Sequence, residues 1–147
     1  MSTTLLSIIT EAFAMLGVVA DGQTPTTNQQ TRALATLNTN MLTQEVDGWN
    51  LGWYNMGSVP VANLGTTQAP LQDQDVGDVT LMLASWLAPK YGITIQPSPD
   101  PTDLTSLSNQ IRAAYQRLSK RSLRYTEADL GELSRPQGGP WGGPNWL

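Results

Sequence analysis

Residues 100–124 read DPTDLTSLSNQIRAAYQRLSKRSLR. Leu104, Leu107, Ile111, Ala114, Tyr115 and Leu118 recur at spacings of three and four, the signature of one apolar helix face. Asp100 stands at the capping position, Pro101 at the first helical position and Asp103 in the first turn, so the stretch predicts a helix beginning at about residue 101. On the helical wheel Arg117, Lys120 and Arg124 fall together opposite the apolar stripe, with Arg121 at the edge of the group.

Three further stretches upstream carry helical periodicity. Leu5, Ile8, Ile9, Ala12 and Leu16 form one narrow stripe over residues 4–16, with Gly17 as a C-terminal stop. A second helix opens after Pro25, where Thr27 and Gln30 have capping-box spacing. It runs through Leu34, Leu37 and Met41 to about Val46, and Asn38 lies near the centre of its stripe. The third opens at Asp73–Asp75, acids suited to a helix N-terminus. It continues through Val76, Val79, Leu83, Trp86 and Leu87 until Pro89 ends or kinks it. Leu81 and Met82 add apolar surface on its other sides, so this helix is expected to be enclosed all round.

The rest is non-helical. Residues 49–72 are rich in Gly and Asn, with short apolar stretches at Leu51–Tyr54 and Val59–Leu64, and they predict a loose hairpin or extended arm. Residues 126–147 are expected to form an extended C-terminal tail. Trp141 and Trp146 stand there among Gly-Gly-Pro repeats, a composition that does not fold alone but suits anchoring in a partner's pocket. The fold class is therefore mainly α: a small four-helix bundle over residues 1–125, with a hairpin-like arm between its second and third helices, then the tail.

At 147 residues the chain has the size of one domain. It contains no His and no Cys, which excludes a disulfide framework, a zinc site built from those residues, a Cys nucleophile and a Ser-His-Asp triad. Charged residues make up 14%, against about 25% in ordinary soluble domains. A surface so poor in charge and so rich in hydroxyls and amides suits contact with neighbouring molecules. The longest apolar run, Leu81–Ala88, is far shorter than the ~20 residues of a membrane span. With no signal-peptide pattern at the N-terminus, the chain is expected to be made and assembled in the cytoplasm.

Charge is divided along the chain. Residues 1–103 carry nine acids and two bases, whereas residues 104–147 carry six bases and three acids. Arg112, Arg117, Lys120, Arg121 and Arg124 fall within thirteen residues with no acid between them. They suit a solvated face, an acidic protein surface such as the acidic half of a neighbouring copy, or phosphate. The acidic sequence pI of about 4.5 and the lack of a base-reading motif weigh against phosphate. Glycosidase chemistry is not assigned to the carboxylates at Glu45/Asp47 and Asp73/Asp75/Asp78: Asp73 and Asp75 sit where a helix N-terminus favours acids, and Glu45 and Asp47, two apart, point in different directions on a helix. No catalytic, cofactor or metal residues are assigned. Gly138–Gly139 and Gly142–Gly143 follow no strand and precede no helix, so they are not phosphate loops.

The order of three motifs resembles the head-to-tail adaptors of short-tailed bacteriophages, also described as tail accessory factors or packaged-DNA stabilisation proteins. The first is Ala12–Val18, AFAMLGV. The second comprises Gln30, Leu34, Leu37-Asn38 and Met41, closing at Trp49. The third is Leu83–Gly92, LASWLAPKYG. The likeness covers residues 3–125. It implies a non-enzymatic virion protein at the head–tail junction, forming a homo-oligomeric ring, usually of twelve copies, under the portal. Such a ring extends the DNA channel, retains packaged DNA without sequence-specific binding and docks the tail nozzle, with tail fibres as further partners. The alternative is a cytoplasmic helical nucleic-acid-binding or regulatory protein.

Overall fold

The computed structural model describes the backbone of residues 3–133 and the side chains as far as Arg121. Four α-helices follow in order: α1 (Leu5–Leu16), α2 (Thr27–Asp47), α3 (Asp73–Leu87) and α4 (Leu107–Leu133). Short 3-10 turns lie at Val61–Asn63 and Ala88–Tyr91. Among the described residues there is no strand, only one isolated antiparallel bridge between Thr4 and Gln68. The chain is a small, mainly α bundle in which α3 is central, packing on α1, α2 and α4.

The helix α1 forms as its stripe predicts. Leu5, Ile8, Ile9, Ala12 and Phe13 are fully buried, and Leu5, Ile8, Ile9 and Phe13 each contribute about 1.5–3 kcal/mol. The Thr4 hydroxyl accepts from the Ser7 N–H at 3.2 Å, and Gly17 at φ 73° closes the helix in the left-handed conformation.

In α2 the capping box sits one residue earlier than expected, on Thr26 and Gln29. Gln30 is occupied elsewhere: its buried amide donates to the Pro25 carbonyl at 2.7 Å. Leu34, Leu37 and Met41 line the core, and Trp86 packs half-buried against it.

The helix α3 has Asp73 and Asp75 in its first turn, as expected, and passes into the 3-10 turn that contains Pro89. Gly92, at φ 68°, ends that turn. The helix is not enclosed all round. From Asp78 onward most of its residues are buried, but Asp73, Gln74 and Gly77 are exposed.

The segment 49–72 is neither a hairpin nor an outward arm. Trp49, Leu51, Trp53, Met56 and Leu64 are buried in the main core, so the segment is a strap wrapped on the bundle. Hydrogen bonds to α2 and α1 hold it. Asn38 of α2 accepts from Trp53 Nε1 at 3.2 Å and from the Met56 N–H at 2.8 Å, and donates to Asn55 Oδ1 at 3.0 Å. At its far end, the strap carbonyls of Thr67 and Leu64 accept from the N–H groups of Leu5 and Leu6, which the first turn of α1 otherwise leaves without partners.

The start of α4 also differs from expectation. Asp100 and Asp103 each fold back on a residue two positions ahead. Their Oδ1 atoms accept from Thr102 and Thr105, from backbone N–H and side-chain hydroxyl in each case. These local bonds compete with helix formation, so the helix begins at Leu107 and leaves Leu104 exposed outside it. Asn109, buried, ties the two turns down by donating to the carbonyls of Asp100 and Asp103. Ala114 and Leu118 keep their place in the core, whereas Tyr115 is half-exposed against Trp49, with ring centroids 5.8 Å apart. At its other end α4 continues to Leu133, past residue 126 where the tail was expected to start.

Candidate functional site

The basic cluster lies on α4 where it crosses the first turns of α3. The two helices run antiparallel there, so Arg117 and Arg121, one turn apart, face Asp78 and Asp75, three residues apart. Arg117 grips Asp78 with two groups: Nε lies 3.1 Å from both carboxylate oxygens and Nη2 lies 2.7 Å from Oδ1. Arg121 bridges the pair, with Nη2 3.0 Å from Asp78 Oδ2 and Nη1 against Asp75 Oδ1. Both carboxylates are buried, while Arg117 remains half in solvent.

The electrostatics follow from that burial. Desolvation pushes the Asp75 carboxyl above its usual value of 3.8; Arg121 opposes the shift and Asp78 adds to it. Hydrogen bonds to Asp78 hold the Arg117 guanidinium above its ordinary range. Asp100 and Asp103 are held below 3.8 by the Thr102 and Thr105 hydroxyls first and by the backbone N–H groups second.

The structure thus divides the predicted basic face. Arg117 and Arg121 find their counter-charges within their own chain. Arg112 and Lys120 are exposed. Lys120 borders an open cavity of about 410 Å³ together with Gln74, Asp78, Arg117 and Arg121. The side chain of Arg124, and Trp141 and Trp146, lie outside the described residues. Helix-dipole placement accounts for Asp73 and Asp75 only in part, because the arginine pairing of Asp75 and Asp78 is a second role. The i, i+3 acids set against i, i+4 bases carry that signal in the sequence. Glu45 has a structural role, accepting from the Leu51 N–H at 2.9 Å to turn the chain after α2.

The stretches that carry the adaptor resemblance converge in the core. Phe13 and Tyr91 meet edge to face, with ring centroids 5.3 Å apart, and the Arg32 guanidinium lies 5.7 Å above the Tyr91 ring. Leu37, Met41, Trp49, Leu83, Ala84 and Leu87 are all buried in one cluster. No group of three or more carboxylates able to hold a metal occurs among the described residues, and no described helix is long and apolar enough to cross a membrane. No protein-family model matches the chain, and no curated protein matches it.

Proposed function

We propose that this chain is a structural virion protein, a head-to-tail adaptor of a short-tailed phage, working through shape and contact between copies without a reactive centre. The observation that carries the reading is where the three motifs fall. Ala12–Val18, the Gln30–Trp49 stretch and Leu83–Gly92 supply helix ends and core contacts of one bundle, including the Phe13–Tyr91 contact. A resemblance placed at fold-determining positions is what a shared architecture requires, whereas a resemblance scattered over the surface would carry nothing. The charge-poor flanks would form subunit contacts. Arg112 and Lys120 would meet acidic protein at the ring or portal boundary, and Trp141 and Trp146 would anchor the C-terminal segment on its partner.

The nucleic-acid alternative is weakened by the pairing of Arg117 and Arg121 with carboxylates, which removes two cations from any phosphate-binding face. The mass of the purified protein, alone and mixed with rings of the cognate portal protein, tests the proposal. A defined multimer on the portal supports it; a monomer that ignores the portal ends it.

A further inference from the structure

A shallow groove runs between α1 and α3 with a volume of about 380 Å³. Ile8, Met15 and Val76 give it apolar walls, Ser7 and Glu11 lie on it from α1, and Gly77 of α3 leaves a gap in its wall. Gly77 is the informative residue. Glycine inside a helix is destabilising relative to alanine, and it is normally tolerated where a neighbour needs the space. Here a Cβ at position 77 would meet nothing within 4 Å. The bundle's own packing therefore gives no reason for the glycine, and the space beside it has room for a neighbour.

We infer that this groove is the docking slot for residues 134–147 of the same chain, with Trp146 as the anchor. Reach is the first argument. Because α4 is antiparallel to α3, Arg117 and Arg121 lie level with Gly77, and α4 then continues twelve residues to Leu133, about 18 Å at 1.5 Å per residue. Returning that distance and crossing one helix, about 10 Å wide, asks for a span of roughly 30 Å. Thirteen residues separate Leu133 from Trp146, a reach of up to about 43 Å. Trp141, eight residues on, reaches only about 26 Å.

Chemistry is the second argument. Residues 134–147 contain no Asp or Glu side chain, so none is set against Glu11, the charged side chain of the groove. An indole is flat, largely apolar and carries one N–H donor, matching apolar walls, a gap without a side chain, and hydroxyl and carboxylate acceptors on α1. The inference is independent of the adaptor assignment. If both hold, the segment rests on its own bundle until a partner draws it away.

The lack of cysteine makes a clean test. Gly77→Cys combined with Asn145→Cys, in the full chain under mild oxidation, should yield an intramolecular disulfide whose fraction is unchanged on tenfold dilution. A control pair, Thr43→Cys with Asn145→Cys, should link far less. A covalent dimer as the main product, or equal linking in the control, overturns the inference. A second experiment avoids cysteine. Gly77→Leu should fold with a raised urea midpoint, since a better helix former enters open space, yet it should fill the slot. In the wild type, Trp146→Ala should increase binding of an apolar dye and lower indole protection from quencher, whereas in the Gly77→Leu background it should change neither. Identical responses in both backgrounds would sink the proposal.

Discussion

Asp75 of α3 and Arg121 of α4 form an ion pair in which the carboxylate is almost wholly withdrawn from solvent and the guanidinium mostly so. Asp75 Oδ1 accepts no well-formed hydrogen bond, so its compensation is the Arg121 charge. That makes the two ends of the pair unequal. Arg121→Ala leaves a buried carboxylate uncompensated and should cost about 3–5 kcal/mol. Asp75→Asn removes the charge that burial penalises and leaves Arg121 its contact with Asp78, so it should cost far less. Urea midpoints at constant m-value decide. Equal losses for the two variants would show that Asp75 is not burdened by its burial.

The same burial fixes the pH response. Because the folded Asp75 carboxyl is raised above 3.8, its contribution to stability is fully present below that value and is lost as pH rises through the folded midpoint. Stability of the wild type relative to Asp75→Asn should therefore be greatest in acid. Asp100 and Asp103 behave oppositely. Their lowered values mean stabilisation above 3.8, lost as pH falls through their folded midpoints. Carboxyl carbon NMR titration should place Asp75 above 3.8 and the other two below it. Thr102→Val should move Asp100 upward toward 3.8.

Asn38 is the polar group on which the strap depends. Replacing it with Ala leaves two donors, Trp53 Nε1 and the Met56 N–H, without their acceptor, at about 1–3 kcal/mol for each buried group. The expected signs are a lower urea midpoint, a changed near-ultraviolet signal from Trp53 and faster amide exchange at Met56. Unchanged exchange at Met56 would mean that the strap is held by its apolar contacts alone.

What can be read from this sequence follows from the range of the forces involved. The helix α1 is legible because its stripe and its Gly17 stop act within one or two turns. The strap is not, because the partners that fold it back, Asn38 and the N–H groups of Leu5 and Leu6, lie on helices distant in sequence. Composition in residues 49–72 speaks only of the absence of helix. The start of α4 is misplaced for a local reason. Asp100 and Asp103 satisfy capping statistics equally well as Asx turns, and only the burial of Asn109 beneath both carbonyls decides between them. The basic face is legible as a cluster, but its division into paired and free members depends on how α3 and α4 cross.

That division leads to the last prediction, which separates folding from assembly. Arg117 and Arg121 are committed to Asp78 and Asp75, so Arg117→Glu with Arg121→Glu sets four carboxylates against each other at the α3–α4 contact. The bundle should lose most of its stability, and any assembly defect would then be uninformative. Arg112 and Lys120 are exposed on the same helix, where a charge change ordinarily stays within about 0.5 kcal/mol. Arg112→Glu with Lys120→Glu should keep the wild-type circular dichroism spectrum and urea midpoint. If α4 meets acidic protein in a ring or at a portal, the same variant should associate more slowly and less tightly, and the difference should shrink as salt is added. Sedimentation of this variant with and without portal rings, at low and high salt, reads both effects at once. Association equal to wild type at low salt would return Arg112 and Lys120 to the solvent and remove α4 from the proposed interface.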